Sequence, residues 1–327
     1  MQKITEDLAR RRAAELMRAG EISCLLGWKK GEFDYDVEPT VFYTPEEVER
    51  ELVCNVFSAA NLSKYLISLT RKAEGRVGIL LKPCDSFSFN QLLTEHRFDR
   101  ERVYALGLPC EGTVDTFLLK ERVGEGIYSI KIKDGALEVE TLSGEVKEIP
   151  LSEVYAERCL VCKSRRPVAY DEMLGEVTPD ADEDRFAQVE KLESMTAEER
   201  YAFWQGELSR CIRCNACRNV CPACSCERCV FDNPTSGVET KAPSEDSFEE
   251  KMFHIIRAFH VAGRCTDCGE CSRVCPERIP LHLLNRKFIK DINSFYGDYT
   301  AGAEVGSRAP LVSYTKDDPE PGQGGQK

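Results

Sequence analysis

Two stretches of the chain, CIRCNACRNVCP (residues 211–222) and CTDCGECSRVCP (residues 265–276), carry the same spacing of cysteines. Each is a C-x2-C-x2-C-x3-C-P motif, the pattern that binds a [4Fe-4S] cluster, and two copies in one chain are typical of two-cluster ferredoxins. We call them the first and the second cysteine motif. Together they predict a bacterial-type 2[4Fe-4S] ferredoxin-like dicluster domain that transfers electrons.

The fourth cysteine of each motif has its own predicted role. Three thiolates spaced two residues apart on a tightly turning loop can reach one cluster, whereas in two-cluster ferredoxins the fourth binds the other cluster. Carried over to this chain, the predicted ligands of cluster I are Cys211, Cys214, Cys217 and Cys275. Those of cluster II are Cys265, Cys268, Cys271 and Cys221. The two motifs must then fold against each other.

Zinc sites and disulfide bonds are the other common uses of closely spaced cysteines. Zinc takes four ligands per site, which does not account for a third C-x2-C step followed by Cys-Pro. The first residues, MQKITEDLARRR, lack the apolar stretch of a secretory signal, and 17 cysteines indicate a reducing compartment. We therefore predict a cytoplasmic protein with reduced thiols.

The composition limits the classes of partner. With 327 residues, 42% hydrophobic and 31% charged, the chain is long enough for about two globular domains. Its net charge of -12 gives no basic surface for phosphates, so we predict no nucleic-acid binding. Because no apolar run approaches the length of a membrane span, we also predict no direct span.

The residues before the motifs predict an α/β fold with a parallel or mixed sheet and flanking helices. The predicted elements are a helix at 4–19 that stops at Gly20, a polar and aromatic loop, a short helix capped by Thr44-Pro45, a helix at 58–73, a buried strand at 76–83, a helix at 86–96 and a buried strand at 103–109. Strands that are apolar throughout and alternate with helices indicate a parallel sheet covered on both faces. Residues 127–151 then predict a β-meander around Asp134-Gly135 that extends or caps this sheet.

The predicted domain organisation has five parts. They are an N-terminal helix and loop (1–43), the α/β domain (44–175), a linker and helix (176–204), the dicluster domain (205–292) and a flexible C-terminal tail (293–327). The aromatics Tyr201, Phe203 and Trp204 are expected to pack against the cluster domain. A polar loop is predicted at 231–246, and the final residues KDDPEPGQGGQK predict disorder or a docking tail.

Nine cysteines lie outside the two motifs. Cys84 and Cys110 each follow a proline at the carboxyl end of a predicted parallel strand, the edge where open α/β sheets assemble their sites. With the C-x2-C pair Cys159 and Cys162 they supply four thiolates, which suggests a third [4Fe-4S] cluster.

A second set of extra cysteines follows the first motif at once: Cys224, Cys226 and Cys229. An alternative is that Cys226 and Cys229 join Cys159 and Cys162 in one site, which would suit a cubane cluster or zinc. The sequence does not decide which set of four closes. The isolated Cys24 and Cys54 are expected to be small buried hydrophobic residues.

Several segments resemble the coenzyme F-420 hydrogenase/dehydrogenase beta-subunit family. The similarity lies in NVFSAANLSKYL, RVGILLKPCDSFSFNQLL, VYALGLPCEG and RCLVCKSRRPVAYDEMLGE, with the dicluster segment after them. It is greatest to the dicluster members that accompany hydrogenases, formate dehydrogenases and heterodisulfide reductase complexes. The resemblance implies an electron-transfer subunit, often with a flavin, that works with other redox subunits of these types.

We therefore predict an iron–sulfur subunit of a multisubunit anaerobic redox complex that relays electrons through its clusters. The alternative is a flavin-containing subunit that itself exchanges electrons with a deazaflavin or NAD(P)H, and a structural or assembly role is the third class. No G-x-G-x-x-G follows a predicted strand. A relay needs no general acid or base, and the four histidines form no recognisable triad, so we assign no catalytic residue and leave FAD and its binding residues open.

Overall fold

The computed structural model describes residues 2–177, 179–180, 184–233 and 248–313. Its N-terminal half contains, in chain order, α1 (Gln2–Arg18), β1 (Cys24–Lys30), β2 (Val37–Phe42), α2 (Pro45–Glu51), α3 (Leu66–Lys72), β3 (Val77–Leu81), α4 (Pro83–Thr94), β4 (Val103–Gly107), α5 (Thr116–Val123), β5 (Ile127–Lys133), β6 (Ala136–Thr141), β7 (Val146–Pro150), α6 (Leu151–Val154), α7 (Glu157–Leu160) and β8 (Glu172–Met173).

A five-stranded mixed sheet with the strand order β2-β1-β3-β4-β8 is the centre of this half. Four of its strands are parallel, namely β1, β3, β4 and β8, and β2 pairs with β1 in the antiparallel sense. Every residue of β3 is buried, as its uninterrupted apolar sequence predicts. Small residues of α1, Ala9, Ala13 and Ala14, are fully buried in the same core. The predicted α/β fold with a mixed sheet is confirmed.

The polar and aromatic loop predicted between the first two helices is wrong, because residues 24–42 form the hairpin of β1 and β2. The first five residues of β1 are buried, and its Trp28 donates a hydrogen bond of 3.2 Å to the Ala60 carbonyl. The short sequence CLLGWKK has no full alternation, so its strand character depends on tertiary burial. The capped helix is confirmed as α2, in which Thr44 and Glu47 form a capping box.

The helix predicted over 58–73 begins too early. Only a 3-10 turn at Ser63–Tyr65 and α3 are helical in this range. The Asn61 side chain accepts a hydrogen bond from the Ser63 amide, a local turn that competes with a helix. The Asn61 amide itself bonds the Glu270 carboxylate at 3.1 Å. A long-range contact with the second motif thus fixes the backbone before α3.

The predicted meander is confirmed as β5, β6 and β7, with Gly135 in the left-handed conformation at the turn. It does not extend the central sheet but forms a separate three-stranded sheet. Its buried face packs with α5 and α6 in a second core that includes Leu119, Leu137 and Val154.

The second half is helical. Its elements are α8 (Ala187–Glu193), α9 (Ala197–Ser209), α10 (Ala216–Val220), α11 (Phe248–Val261), α12 (Glu270–Arg273) and α13 (Leu281–Tyr296). Helix α8 lies where a linker was predicted, because Val189 and Leu192 are buried against Leu283 of α13. Of the α9 aromatics, Phe203 and Trp204 pack in this half, whereas Tyr201 is exposed.

Residues 297–313, within the predicted flexible tail, pack along α4. The Asn90 side chain bonds the Ala303 carbonyl and the Thr94 hydroxyl accepts from the Gly306 amide. The end KDDPEPGQGGQK and most of the loop predicted at 231–246 lie outside the described residues. Within the described ranges, every helix is too short or too polar to cross a bilayer.

Candidate metal centres

The two cysteine motifs have the same backbone geometry. Arg213 and Asn215 in the first motif and Asp267 and Gly269 in the second all have left-handed φ values between 53° and 68°. Three of these four residues are not glycine, and such conformations are costly for side-chain-bearing residues and concentrate at functional sites. The repeated turns wrap each run of three cysteines into a tight loop, after which α10 and α12 begin.

The first group of thiols contains three of the predicted cluster I ligands. Burial raises the pKa of Cys217 to about 12, and the neighbouring thiols of Cys271, Cys211 and Cys275 add to the rise. Cys217 and Cys275 also share one buried core with Leu208 of α9. The fourth predicted ligand, Cys214, is exposed at the surface.

The second group of thiols contains all four predicted cluster II ligands. Burial raises the pKa of Cys265, Cys268 and Cys271, and the nearby Cys221 thiol raises each of them further. Cys221 comes from the first motif, so the structure places the fourth cysteine of each motif beside the other motif. A buried thiol of raised pKa binds as a thiolate where a metal supplies compensating charge, which fits an iron–sulfur cluster.

Nitrogen donors point at these sulfurs, as expected around cluster thiolates. The Arg213 amide lies 3.4 Å from the Cys211 sulfur, and the Ile279 amide lies 3.5 Å from the Cys275 sulfur. The buried Asn285 side chain of α13 donates to Cys271 over 3.7 Å. Among the described residues, no three His, Cys, Asp or Glu side chains are arranged around a single metal ion.

Four further cysteines line one cavity at the carboxyl edge of the central sheet. We call it the thiol cavity; its sulfur-bearing walls are Cys84, Cys110, Cys159, Cys162 and, from the second motif, Cys268. β3 and β4 are parallel and in register, which brings the residues after them to one edge. Cys84 lies in the first turn of α4, and Cys110 lies three residues after Gly107, the last residue of β4. The C-x2-C pair enters from α7, so the structure brings together the four cysteines proposed from the sequence.

Basic residues surround the thiol cavity. Burial raises the pKa of Cys110 to about 12, with a further contribution from Cys159. The buried Lys82 bonds Asp85 at 2.9 Å and lies over the Trp28 ring. Arg158 also lines the cavity. Four thiols with adjacent positive charges form a donor set that suits a cluster of net negative charge.

A buried ion-pair network joins the thiol cavity to the second motif. Arg158 donates to the Cys268 carbonyl at 2.8 Å and to Glu270 at 2.6 Å, and also to the Ala59 carbonyl. Burial acts to raise the pKa of Glu270, but Arg273 and Arg158 outweigh it and hold that pKa at about 2. Arg158 precedes Cys159 in the chain, so one residue connects two sets of thiols.

The remaining extra cysteines lie elsewhere. Cys224 shares a hydrogen bond with Cys221, which lowers the pKa of the Cys221 thiol, and Cys226 lines a separate groove that includes Arg264. Cys226 is not among the residues that line the thiol cavity with Cys159 and Cys162. Cys24 is confirmed as a buried core residue of β1. Cys54 lies near Cys110, and burial raises its pKa to about 12.

A large groove separates the α/β half from the dicluster half and was not predicted from the sequence. We call it the arginine groove; its cationic and aromatic lining includes Arg158, Arg273, Arg278, Tyr35, Phe57 and Phe117, and Cys275 also lines it. Its volume of about 380 Å³ is that of a ligand-binding pocket. Residues distant in sequence form it, so no local pattern signals it.

The fold and these thiol groups define the class: an iron–sulfur electron-transfer protein with a [4Fe-4S] dicluster domain. Residues 207–279 match the family described as the 4Fe-4S dicluster domain. A second family model matches a segment that runs from the central sheet through the first cysteine motif. Residues 74–229 match the family described as the C terminus of the beta subunit of coenzyme F420 hydrogenase/dehydrogenase. The family resemblance seen in the sequence is confirmed.

Individual relatives are distant. The chain is 25% identical to the F420-dependent formate dehydrogenase subunit beta of Methanocaldococcus jannaschii, over 81% of this chain and 84% of the relative. It is also 25% identical to the F420-dependent formate dehydrogenase 1 subunit beta of Methanococcus maripaludis, over 76% and 78%. Among solved structures, a chain of the F420-reducing [NiFe] hydrogenase complex from Methanosarcina barkeri, determined as a xenon derivative, aligns with 18% identity and a TM-score of 0.38. That alignment covers 51% of this chain and 62% of the other.

Proposed function

We propose that this chain is the iron–sulfur electron-transfer subunit of a multisubunit redox complex, with three [4Fe-4S] clusters in a row. The observation that carries the proposal is that three groups of thiols are neighbours in space: the thiol cavity, the group around Cys268 and the group around Cys217. Cys268 contributes to the first two, and Cys271 lies close to both the second and the third.

The proposed ligands follow from this placement. Cluster I takes Cys211, Cys214, Cys217 and Cys275; cluster II takes Cys265, Cys268, Cys271 and Cys221; cluster III takes Cys84, Cys110, Cys159 and Cys162. Clusters of this kind carry one electron each and conduct between partners when they lie within tunnelling distance. The chain itself holds the ligands, excludes water through burial and supplies N–H donors to the sulfurs.

The two ends of the row differ in their surroundings. The thiol cavity belongs to the α/β half, while Cys214 of cluster I is exposed and offers an exit or entry at the surface. We propose partner subunits of the hydrogenase, formate dehydrogenase or heterodisulfide reductase type at the two ends. The formate dehydrogenase subunits among its relatives support this choice.

The decisive experiment is an anaerobic purification with counts of iron, acid-labile sulfide, zinc and flavin. Three clusters give about twelve irons per chain at four irons each. About eight irons would reject the third cluster. Zinc in place of iron, or clusters that dithionite cannot reduce reversibly, would reject the relay.

A second candidate function is a flavin-containing subunit that itself reacts with a deazaflavin or a nicotinamide. The arginine groove favours it, because its lining combines cationic side chains, Arg273 and Arg278, which pair with Glu270 and Glu121, with the aromatic Phe117 and Tyr35. FAD would supply the exchange between two-electron and one-electron chemistry. Flavin released on denaturing the chain, together with reductase activity without partners, would replace the relay by this function.

A further inference from the structure

Arg257 of α11 is one of the largest fully buried side chains of the protein. It is 1% exposed, and all three of its guanidinium nitrogens lack a hydrogen-bond partner among the described residues. A buried guanidinium without partners is costly, since each desolvated donor loses its bonds to water. Such a side chain persists where other negative charge or acceptors stabilise it.

The surroundings of Arg257 are thiols of both motifs. Its charge acts on Cys271, Cys217 and Cys221 and also on Cys224. Cys217 belongs to the proposed cluster I, whereas Cys271 and Cys221 belong to the proposed cluster II. The guanidinium is therefore close enough to thiols of both proposed clusters to interact with them, and its three nitrogens have no other hydrogen-bond partner among the described residues.

The neighbouring His254, three residues earlier on α11, does not supply positive charge to these thiols. Burial, with the charges of Arg257 and Arg213, lowers the pKa of His254 to about 3, so the ring is neutral near pH 7. Both of its ring nitrogens are also unpartnered among the described residues. Among this pair, Arg257 carries the buried positive charge.

We propose that Arg257 donates N–H···S hydrogen bonds to clusters I and II together and sets both of their reduction potentials, an inference that rests on the ligation proposed above. Each cluster gains one negative charge when it accepts an electron from a reductant, and no bond is broken. A fixed positive charge and hydrogen bonds to sulfur stabilise the more negative state, so they raise the potential. One residue would thereby keep the two clusters close in potential.

The test is a redox titration of the purified full-length protein with dithionite, followed by EPR of the reduced clusters. Arg257→Gln keeps an N–H donor but removes the charge, and Arg257→Lys keeps the charge but removes the planar fork. In Arg257→Gln we expect the reduction equilibrium of both dicluster signals to shift at least tenfold toward the oxidised form, a fall of about 59 mV for a one-electron couple. In Arg257→Lys we expect a fall in potential less than half as large as that in Arg257→Gln.

The matched control is Arg228→Gln, which removes the same charge from an exposed position in the segment between the motifs. It should leave both potentials unchanged. Iron counts separate the proposed ligation from the proposed role of Arg257. Fewer than eight irons in the wild type would contradict the ligation. Eight or more irons, with unchanged potentials in Arg257→Gln, would overturn the role of Arg257.

A second measurement uses the unchanged chain, in case the variants fail to assemble. Protein labelled with 15N only in the guanidinium nitrogens of arginine, which leaves the Arg213 amide beside Cys211 unlabelled, is reduced and studied by pulsed EPR. A 15N coupling to both dicluster signals in the wild-type protein supports the proposal. If the wild-type protein shows no arginine coupling at either cluster, the proposal is wrong.

Discussion

At the scale of single residues, Gly269 shows how tightly the second motif is built. Its φ is +68°, and an added Cβ would lie 2.7 Å from Cδ of Arg158, the residue that holds Glu270. The left-handed conformation alone costs about 1–2 kcal/mol for a residue with a side chain. The steric contact adds to that cost because Arg158 is fixed by three hydrogen bonds.

We predict that Gly269→Ala lowers the thermal midpoint and the iron content of the purified protein. The control is Gly124→Ala, which has a φ of +76° but nothing within 4 Å of the added Cβ. Both variants share the backbone cost, so the difference between them measures the contact with Arg158. Equal losses in stability, with full iron in both, would show that Arg158 moves aside freely.

His254 gives a prediction about pH. Its pKa of about 3 in the folded chain lies below the ordinary value of 6.5. Between these two values the ring is protonated in the unfolded chain and neutral in the folded chain. The stability from this residue is complete above pH 6.5 and falls as the pH drops toward 3, by up to about 1.4 kcal/mol per unit. We expect His254→Phe to weaken the pH dependence of the unfolding midpoint between pH 7.5 and 5.5.

Two comparisons test whether this pH dependence comes from His254. The exposed His260 lies on the same helix, and His260→Gln should leave the wild-type pH dependence in place. A His254→Phe protein whose midpoint falls with pH as steeply as that of the wild type would contradict the prediction.

At the scale of elements, α12 is the piece that joins the two halves. Glu270, its first residue, pairs with Arg158 and Arg273 and accepts from the Asn61 amide. Burial makes this pair different from a surface pair, because removing one partner leaves an uncompensated charge in a dry site.

We predict that Glu270→Gln destabilises the protein by about 3–5 kcal/mol at pH 7, the usual result of breaking a buried pair. The control is Glu227→Gln, which breaks the exposed pair between Glu227 and Arg71 across the same two halves. Exposed pairs contribute about 0–1 kcal/mol. Chemical unfolding under anaerobic conditions measures both, and similar losses in the two variants would rule out a special role for Glu270.

The elements also show what a local pattern can and cannot predict. β3 and β4 were predicted well because continuous apolar residues between helices leave few alternatives. β1 was missed because CLLGWKK owes its strand character to pairing with β3. The segment before Ser63 was taken for helix, since a bond between Asn61 and Glu270, 209 residues apart, leaves no local signal.

At the scale of the whole molecule, the thiol cavity predicts a third cluster whose four proposed ligands all belong to the α/β half. Cys110→Ser should reduce the iron content from about twelve to about eight atoms per chain while the dicluster EPR signals remain. Cys24→Ser changes a buried thiol of β1 that lies in the hydrophobic core, so it should keep all of its iron. Equal iron in the wild type and Cys110→Ser would remove Cys110 from the ligands.

The candidate sites were predictable to different degrees. Spacing within a motif predicts the eight dicluster cysteines as ligands, and the structure gives both motifs the same loop geometry. The four cavity cysteines were predicted as a group only through the edge of a parallel sheet. Arg257 and the arginine groove were not predicted, since a buried arginine on an amphipathic helix looks like any surface charge in the sequence.

The proposed exchange of Cys221 and Cys275 between the two clusters has a consequence for synthesis of the chain on the ribosome. All four cavity cysteines have been translated by residue 162. On the proposed ligation, cluster II lacks its last ligand until Cys271 and cluster I until Cys275, only four residues later. The dicluster unit therefore matures in a single late event, and a chain interrupted between the motifs would carry three of the four proposed cluster I ligands, one of the four cluster II ligands and all four of cluster III.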